Sequence, residues 1–396
     1  MENMMEAALP LTGLKVVELC SSFSGPLAAE NLAMLGADVI KVEPPGGDVT
    51  RSWGPPLGIN SAAGFETVNR EKKSIVIDFN DAAQKQTLIE LIQNADVLIQ
   101  NLRPGLTEAL ALDGKTMCAS NPRLVYCNVG AFGRKGPLRN RPGYDPLMQA
   151  FSGIMSVTGE ESGNAARVGV PVIDFGTGLW TTIGVLSALF RRSLTGEGCV
   201  VDSCLFETGV HWMKYAISEY HAGGPMPGRM GTRGPAVAPN RAYNAADQGF
   251  MLCIGTDNQF KVLCEVIGQP ELADNPAFAK NQARKKNEHE LDRLLEAIFA
   301  TDTRDHWLDK LEAAGLPHAP LLNISELLAH PQMQASGLLQ HQQDSPIDLI
   351  GLPLVFNGQR PEYRRPPPHL NQHAHELMEG VQCGEQSIQN NNRNDK

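Results

Sequence analysis

Short apolar runs and amphipathic stretches alternate along the first third of this chain. Residues 14–19 (Leu14-Lys15-Val16-Val17-Glu18-Leu19) have the pattern of a buried strand. Residues 26–35 form a helical pattern that starts on Pro26, and 38–43 (Asp38-Val39-Ile40-Lys41-Val42-Glu43) make the next strand. Residues 74–79 and 96–100 are strand-like on either side of a helical pattern over 82–94, and 124–128 add another short apolar strand. Strands separated by helices predict βαβ units and a mostly parallel sheet covered by helices. Ligands of such sheets sit beyond the carboxyl ends of the strands. The loops to search are therefore 20–25, 43–51, 101–105 and 130–144.

The texture changes after Met213. Residues 223–239 are rich in Gly and Pro and hold Arg229 and Arg233, the composition of a linker or binding loop. From Gly249 a compact α+β pattern follows, with a strand over 250–254 and helices over 259–267, 288–300 and 303–314. Beyond His330 the chain is irregular, with a strand-like stretch over 347–356 and the run Pro366-Pro367-Pro368. Residues from Cys383 on, ending Gln389-Asn390-Asn391-Asn392-Arg393-Asn394, are polar enough to predict a disordered tail.

Composition narrows the class. A chain of 396 residues can bury a substantial core and suits two domains. A net charge of −10 disfavours nucleic acid as a partner. No apolar stretch approaches the roughly 20 residues that cross a bilayer, so no membrane partner is expected. Residues 1–10 carry two glutamates and no basic cluster, unlike a signal or transit peptide, and the expected location is the cytoplasm. The eight cysteines are scattered (Cys20, Cys118, Cys127, Cys199, Cys204, Cys253, Cys264, Cys383), without a C-x-x-C pair or zinc spacing, so no metal is expected.

The candidate chemistry centres on Asp174, in Val168-Gly169-Val170-Pro171-Val172-Ile173-Asp174-Phe175-Gly176-Thr177-Gly178. Here an acid ends a β-branched, apolar run, and an apolar helix is expected over 179–190. A carboxylate at a strand-to-helix junction commonly caps the helix. The flanking Gly176 and Gly178 would also let a substrate approach the backbone, and a partly dehydrated Asp there could act as a nucleophile. Arg103, in Asn101-Leu102-Arg103-Pro104-Gly105, follows a strand, where it could pair with a phosphate or simply face water. Gly143-Tyr144-Asp145 precedes a helical pattern over 146–152, and Asp145 is locally a good N-cap. Lys72, Lys73 and Arg51 read as a basic rim or as solvated charges. The segment Ser21-Ser22-Phe23-Ser24-Gly25-Pro26 replaces G-x-G-x-x-G after the first strand, and neither a P-loop nor G-x-S-x-G occurs. All ten histidines lie at or after His211, which excludes a Ser-His triad within the N-terminal α/β region.

Taken in order, these segments resemble the class III CoA-transferase family, which includes formyl-CoA:oxalate and carnitine CoA-transferases. The matching motifs begin with Leu11-Thr12-Gly13-Leu14-Lys15-Val16-Val17-Glu18-Leu19, Gly36-Ala37-Asp38-Val39-Ile40-Lys41-Val42-Glu43 and Asn69-Arg70-Glu71-Lys72-Lys73-Ser74. They continue through Asn101-Leu102-Arg103-Pro104-Gly105, Asn121-Pro122-Arg123-Leu124, Gly143-Tyr144-Asp145 and residues 168–178. Thr195-Gly196-Glu197-Gly198 and Leu316-Pro317-His318-Ala319-Pro320 complete the set. Each is weak alone; together, over residues 11–378, they are specific.

The resemblance implies an α/β fold: a Rossmann-like large domain built from both chain ends, plus a smaller α+β domain. In these terms 1–213 begin the large domain, 214–240 form a linker, 241–329 the small domain, 330–382 return to the large domain, and 383–396 form the tail. It also implies a homodimer whose subunits interlock like chain links. Asp174 matches the family's nucleophile, which forms an anhydride with the acyl group and then an aspartyl-CoA thioester. Asn101, Leu102 and Arg103 match CoA-contacting positions, and Tyr144, Asp145 and Gly176 lie in motifs beside the nucleophile. The expected partners are an acyl-CoA and a small carboxylic acid, a dicarboxylate by family and weakly by Arg229 and Arg233. Coenzyme A enters as a thioester substrate, with no permanently bound cofactor.

The chain departs from the family's pattern in places. Phe23 stands where a glutamine is found after the first strand. Ala109 or Leu110, and Pro142, stand where basic residues occur, leaving Arg141 or Arg51 as candidates to replace those charges. An α-methylacyl-CoA racemase on the same fold is the nearest alternative, but it needs a His-Asp pair where this chain has Tyr144-Asp145. A CoA-binding protein without turnover, with Asp174 only a cap, is the other.

Overall fold

A computed structural model describes residues 9–378, so the expected tail from Cys383 lies outside the described residues. The chain divides into two compact units. One comprises the chain up to Ile154, Val168–Gly223 and the chain from Gln332 on; the other comprises Met155–Arg167 and Gly224–Pro331.

The first unit is built on a six-stranded parallel sheet of β1 (Lys15–Leu19), β2 (Asp38–Glu43), β3 (Lys72–Val76), β4 (Val97–Gln100), β5 (Val125–Gly130) and β6 (Cys199–Cys204). Their spatial order is β3-β2-β1-β4-β5-β6, all neighbours parallel. The order reverses between β1 and β4, and that switch opens a crevice at the carboxyl ends. Strand alternation feeds two cores. Val16, Val39, Val97 and Val125 pack under helix α1 (Ser24–Met34) and the long helix Val172–Thr195. Val17, Val42, Leu98 and Tyr126 pack on the opposite face with Leu88 and Ile92 of the helix Ala82–Gln93.

Charges are buried beside these cores. Lys41 Nζ lies 2.9 Å from Glu18 Oε1 and 2.7 Å from Asp48 Oδ2, and Lys72 Nζ lies 2.8 Å from Glu18 Oε2. Glu18, Lys41 and Lys72 are fully buried. Such a group holds only as a set, because any member left alone becomes an uncompensated buried charge.

The second unit holds a three-stranded antiparallel sheet of β7 (Asn240–Asn244), β8 (Gly249–Cys253) and β9 (His318–Pro320). Phe250, Phe260, Phe299 and Trp307 form its core with the helices Asp257–Val266, Glu288–Phe299 and Arg304–Ala313.

Several expectations are corrected. Residues 168–173 are not a strand: Val172 and Ile173 already belong to the helix Val172–Thr195, which spans 24 residues rather than only 179–190. Pro171 starts it, and Gly196, in the left-handed region at φ 78°, stops it by donating its N–H to the Arg192 carbonyl at 2.8 Å. By length and composition this helix could cross a bilayer, and half of its most apolar window is buried within the protein. The expectation that no apolar stretch approaches that length missed it because glycines and the apparent strand divided the run. The stretch expected as a linker from 214 carries the helix Lys214–His221. Residues 155–167 group with the second unit. Of the strand-like residues 347–356 only Leu349–Ile350 form a strand, paired with Leu339–Gln340, and Phe356 makes an isolated antiparallel bridge to Gln359.

Candidate active site

Asp174 occupies the first turn of the long helix and is 7% exposed. It does not cap that helix. The residue at the cap, Pro171, has no side chain able to accept, and the capping carboxylate comes from elsewhere. Asp145, at the start of the helix Asp145–Phe151, turns its Oδ2 to the N–H groups of Ile173 (2.7 Å) and Asp174 (3.2 Å). Its Oδ1 accepts from Gln149 Nε2 at 2.6 Å. Asp145 is thus a helix cap as local reasoning expected, but of a helix 28 residues downstream.

With those amides taken, the Asp174 carboxylate accepts one hydrogen bond, from Ser24 Oγ to Oδ1 at 2.5 Å. No described residue donates to Oδ2. Burial pushes the Asp174 carboxyl up to about 6, with the Ser24 hydrogen bond opposing and the Asp145 charge adding to the rise. At neutral pH the group is still mostly ionised, yet more basic than an exposed aspartate, a combination suited to a nucleophile.

Asp174 opens onto a cavity of about 450 Å³ beyond the carboxyl ends of β1, β4, β5 and β6. Three of the four loops singled out in the sequence line it: 20–25, 101–105 and 130–144. Its floor carries a side-chain chain in which Gln100 Nε2 donates to Asn128 Oδ1 (2.5 Å) and Asn128 Nδ2 to Asp202 Oδ1 (2.7 Å). Arg103, Arg134, Arg139 and Arg141 also line it. Arg134 pairs with Glu108 at 3.1 Å, while the other three form no salt bridge among the described residues. Unpaired guanidinium groups at a cavity mouth attract phosphate and carboxylate.

The other sequence candidates fall out as follows. Tyr144 is 58% exposed and lines the cavity. Asn101 spends its side chain on the loop after β1, accepting from Ser21 N–H at 3.0 Å and donating to the Ser21 carbonyl at 2.7 Å. Leu102 donates its N–H to Gln100 Oε1 at 2.8 Å. Gly176 and Gly178 do not open the backbone to a substrate. A Cβ on Gly176 would meet Trp212 and Thr208 within 3 Å, and one on Gly178 would meet Leu27 and the Ser24 carbonyl at 2.9 Å, so both serve helix packing. Arg51 is no replacement for a missing phosphate contact: it is 8% exposed, bridges Glu43 through two nitrogens at 2.8 and 2.7 Å, and stacks on Phe65. Lys72 is likewise consumed inside, and Lys73 pairs with Asp38 and Glu376. Arg233 is tied to Asp292 at 2.8 Å and Glu161 at 3.3 Å. Ser24 is the neighbour of Asp174 that the sequence did not single out, because one hydroxyl has no periodicity. Its loop, 20–25, is one of those expected to meet a ligand, but no single residue of it stands out in the sequence.

The profile of CoA-transferase family III matches residues 11–374. Acetyl-CoA:oxalate CoA-transferase of Acetobacter aceti is 38% identical over 90% of this chain and 92% of its own. Human succinyl-CoA:glutarate CoA-transferase is 33% identical over 94% of this chain and 86% of its own. Among solved structures, a CAIB/BAIF family protein from Brucella suis superimposes with a TM-score of 0.87 at 36% identity, covering 94% of this chain and all of the other. The chain belongs to CoA-transferase family III and is an enzyme of that class.

Proposed function

We propose that this enzyme moves CoA from an acyl-CoA to a small dicarboxylic acid, with Asp174 as the covalent carrier. The observation that carries the reading is a buried, singly hydrogen-bonded carboxylate that shares a cavity lining with four arginines. One Asp174 oxygen attacks the donor thioester carbonyl; the C–S bond breaks and its electron pair leaves on CoA sulfur. The thiolate attacks the aspartyl carbonyl of the anhydride and expels the donor acid, leaving an aspartyl-CoA thioester. The acceptor carboxylate then displaces the thiolate, forming a second anhydride. The thiolate finally takes the acceptor acyl group and frees Asp174. Thioester is exchanged for thioester, and no net proton moves.

Arg103, Arg139 and Arg141 hold the CoA phosphates, with Asn101 and Leu102 presenting the loop that the cofactor half of the substrate crosses. The dicarboxylate preference rests on relatives named for oxalate and glutarate; of the two arginines that hinted at it, Arg229 and Arg233, the second is tied to Asp292. Racemisation finds no support, as no histidine lines the cavity. A panel of acyl-CoA donors crossed with mono- and dicarboxylic acceptors, read by mass spectrometry of the acyl-CoAs formed, tests the reading. New dicarboxylyl-CoA is expected; transfer only to monocarboxylic or aromatic acids would sink the substrate assignment.

A further inference from the structure

The loop from Cys20 to Ser24 is braced from three sides. Lys41 Nζ donates to the Cys20 carbonyl at 2.9 Å, Asn101 grips both backbone groups of Ser21, and Asp48 Oδ1 accepts from Ser22 N–H at 3.3 Å. Ser22 sits at φ 68°, a left-handed conformation that a non-glycine residue adopts at a cost of about 1 kcal/mol or more. The loop delivers Ser24, 6% exposed, at the first position of α1. The residue at the N-cap of α1, Phe23, has no side chain able to cap, and the Ser24 hydroxyl points to Asp174. Backbone contact fixes the pair, since no Cβ fits on Gly178 against the Ser24 carbonyl.

Resting on Asp174 as the nucleophile, we propose that Ser24 is a further catalytic residue: its hydroxyl is the oxyanion donor for the steps that occur at the aspartyl carbonyl. The geometry dictates this division of labour. Oδ1 is held by Ser24, so Oδ2 attacks the donor thioester, and Oδ1 then becomes the carbonyl oxygen of both the anhydride and the aspartyl-CoA thioester. When CoA thiolate attacks the anhydride, or the acceptor carboxylate attacks the thioester, negative charge builds on Oδ1, where Ser24 O–H already points. A fixed donor aimed at developing charge is worth about 10²–10³-fold in rate.

The test is Ser24→Ala and the near-isosteric Ser24→Cys, with Ser24→Thr as the conservative variant that keeps the hydroxyl. With donor acyl-CoA alone, the rate of aspartyl-CoA thioester formation is expected to fall about 100-fold in the first two. The KM for acyl-CoA should stay within roughly threefold, Ser24→Thr should recover much of the loss, and the acid limb of kcat/KM should move to higher pH. Thioester formation within about threefold of the parent in folded Ser24→Ala and Ser24→Cys would overturn the role. So would a loss confined to KM. Transfer that survives Asp174→Asn would instead remove the nucleophile reading beneath it, so the two failures are distinguishable.

Discussion

Asp174 is asked to be ionised, poorly solvated and reachable at once, and its neighbours divide the task. Burial and Asp145 raise its affinity for a proton, Ser24 lowers it, and the balance lies at about 6. The activity consequence is an acid limb: kcat/KM should rise with pH through about 6 and level off above it, as the carboxylate loses its proton. A profile already flat from pH 5 would contradict the assignment. The stability consequence has the opposite sense. An unfolded aspartate ionises near 3.8 while the folded one keeps its proton up to about 6, so stability falls as pH rises through that window. Above it the folded state carries a penalty on the order of 3 kcal/mol. Asp174→Asn should therefore melt higher than the parent at pH 8 and nearly equal to it near pH 4, while losing transfer by about 10³-fold or more. An Asn variant that melts lower at pH 8 would show that the carboxylate is stabilised in the fold.

At the level of elements, the site is a meeting of two helix starts. Asp145 supplies the cap that Pro171 cannot, so Asp145→Ala strips two N–H groups of their acceptor and should cost about 1–2 kcal/mol in chemical unfolding. Gly178→Ala would press a methyl against the Ser24 carbonyl and Leu27, costing about 1–3 kcal/mol and parting Ser24 from Asp174. Lys41→Met leaves the buried Asp48 without its cation and Glu18 with Lys72 alone, and a loss of about 3–5 kcal/mol is expected. A change below 1 kcal/mol in that variant would show the cluster to be solvated. These elements also mark what the sequence made legible. β2 and the helix Ala82–Gln93 read cleanly because strand and helix periods are strong there and Asp81 caps the helix. The start of the helix at Val172 was hidden by β-branched residues whose helical state is imposed by a carboxylate from Asp145. Nothing near position 172 announces a partner so distant. β6, with its half-exposed alternation, passed unnoticed for want of an apolar run.

At the scale of the whole molecule, the strand order places the crevice and the loops fill it. The sequence pattern predicts a mostly parallel sheet with ligand loops at the strand ends, though not the strand order, and three of the four loops so chosen do line the cavity. The split of the chain, with Met155–Arg167 grouped with Gly224–Pro331, could not be read from texture, because proximity in space leaves no local mark on composition. The long helix leaves Leu179, Trp180, Ile183, Phe190 and Leu194 exposed, with Trp212 and Tyr215 nearby in the chain also uncovered. So much apolar surface suits burial against a second copy of this chain. Sedimentation should find a dimer that does not dissociate on dilution short of unfolding; a monomer at micromolar concentration would exclude the interlocked arrangement.

The claim on which the rest depends is that Asp174 becomes covalently acylated and then carries CoA. It is tested most directly by mixing the enzyme with donor acyl-CoA, quenching with hydroxylamine and mapping the modified peptide by mass, beside Asp174→Asn. The account predicts a hydroxamate on Asp174 in the parent, dependent on the donor, and none in the variant. Peptides left unmodified by every donor that turns over, or a hydroxamate on another residue, would contradict it.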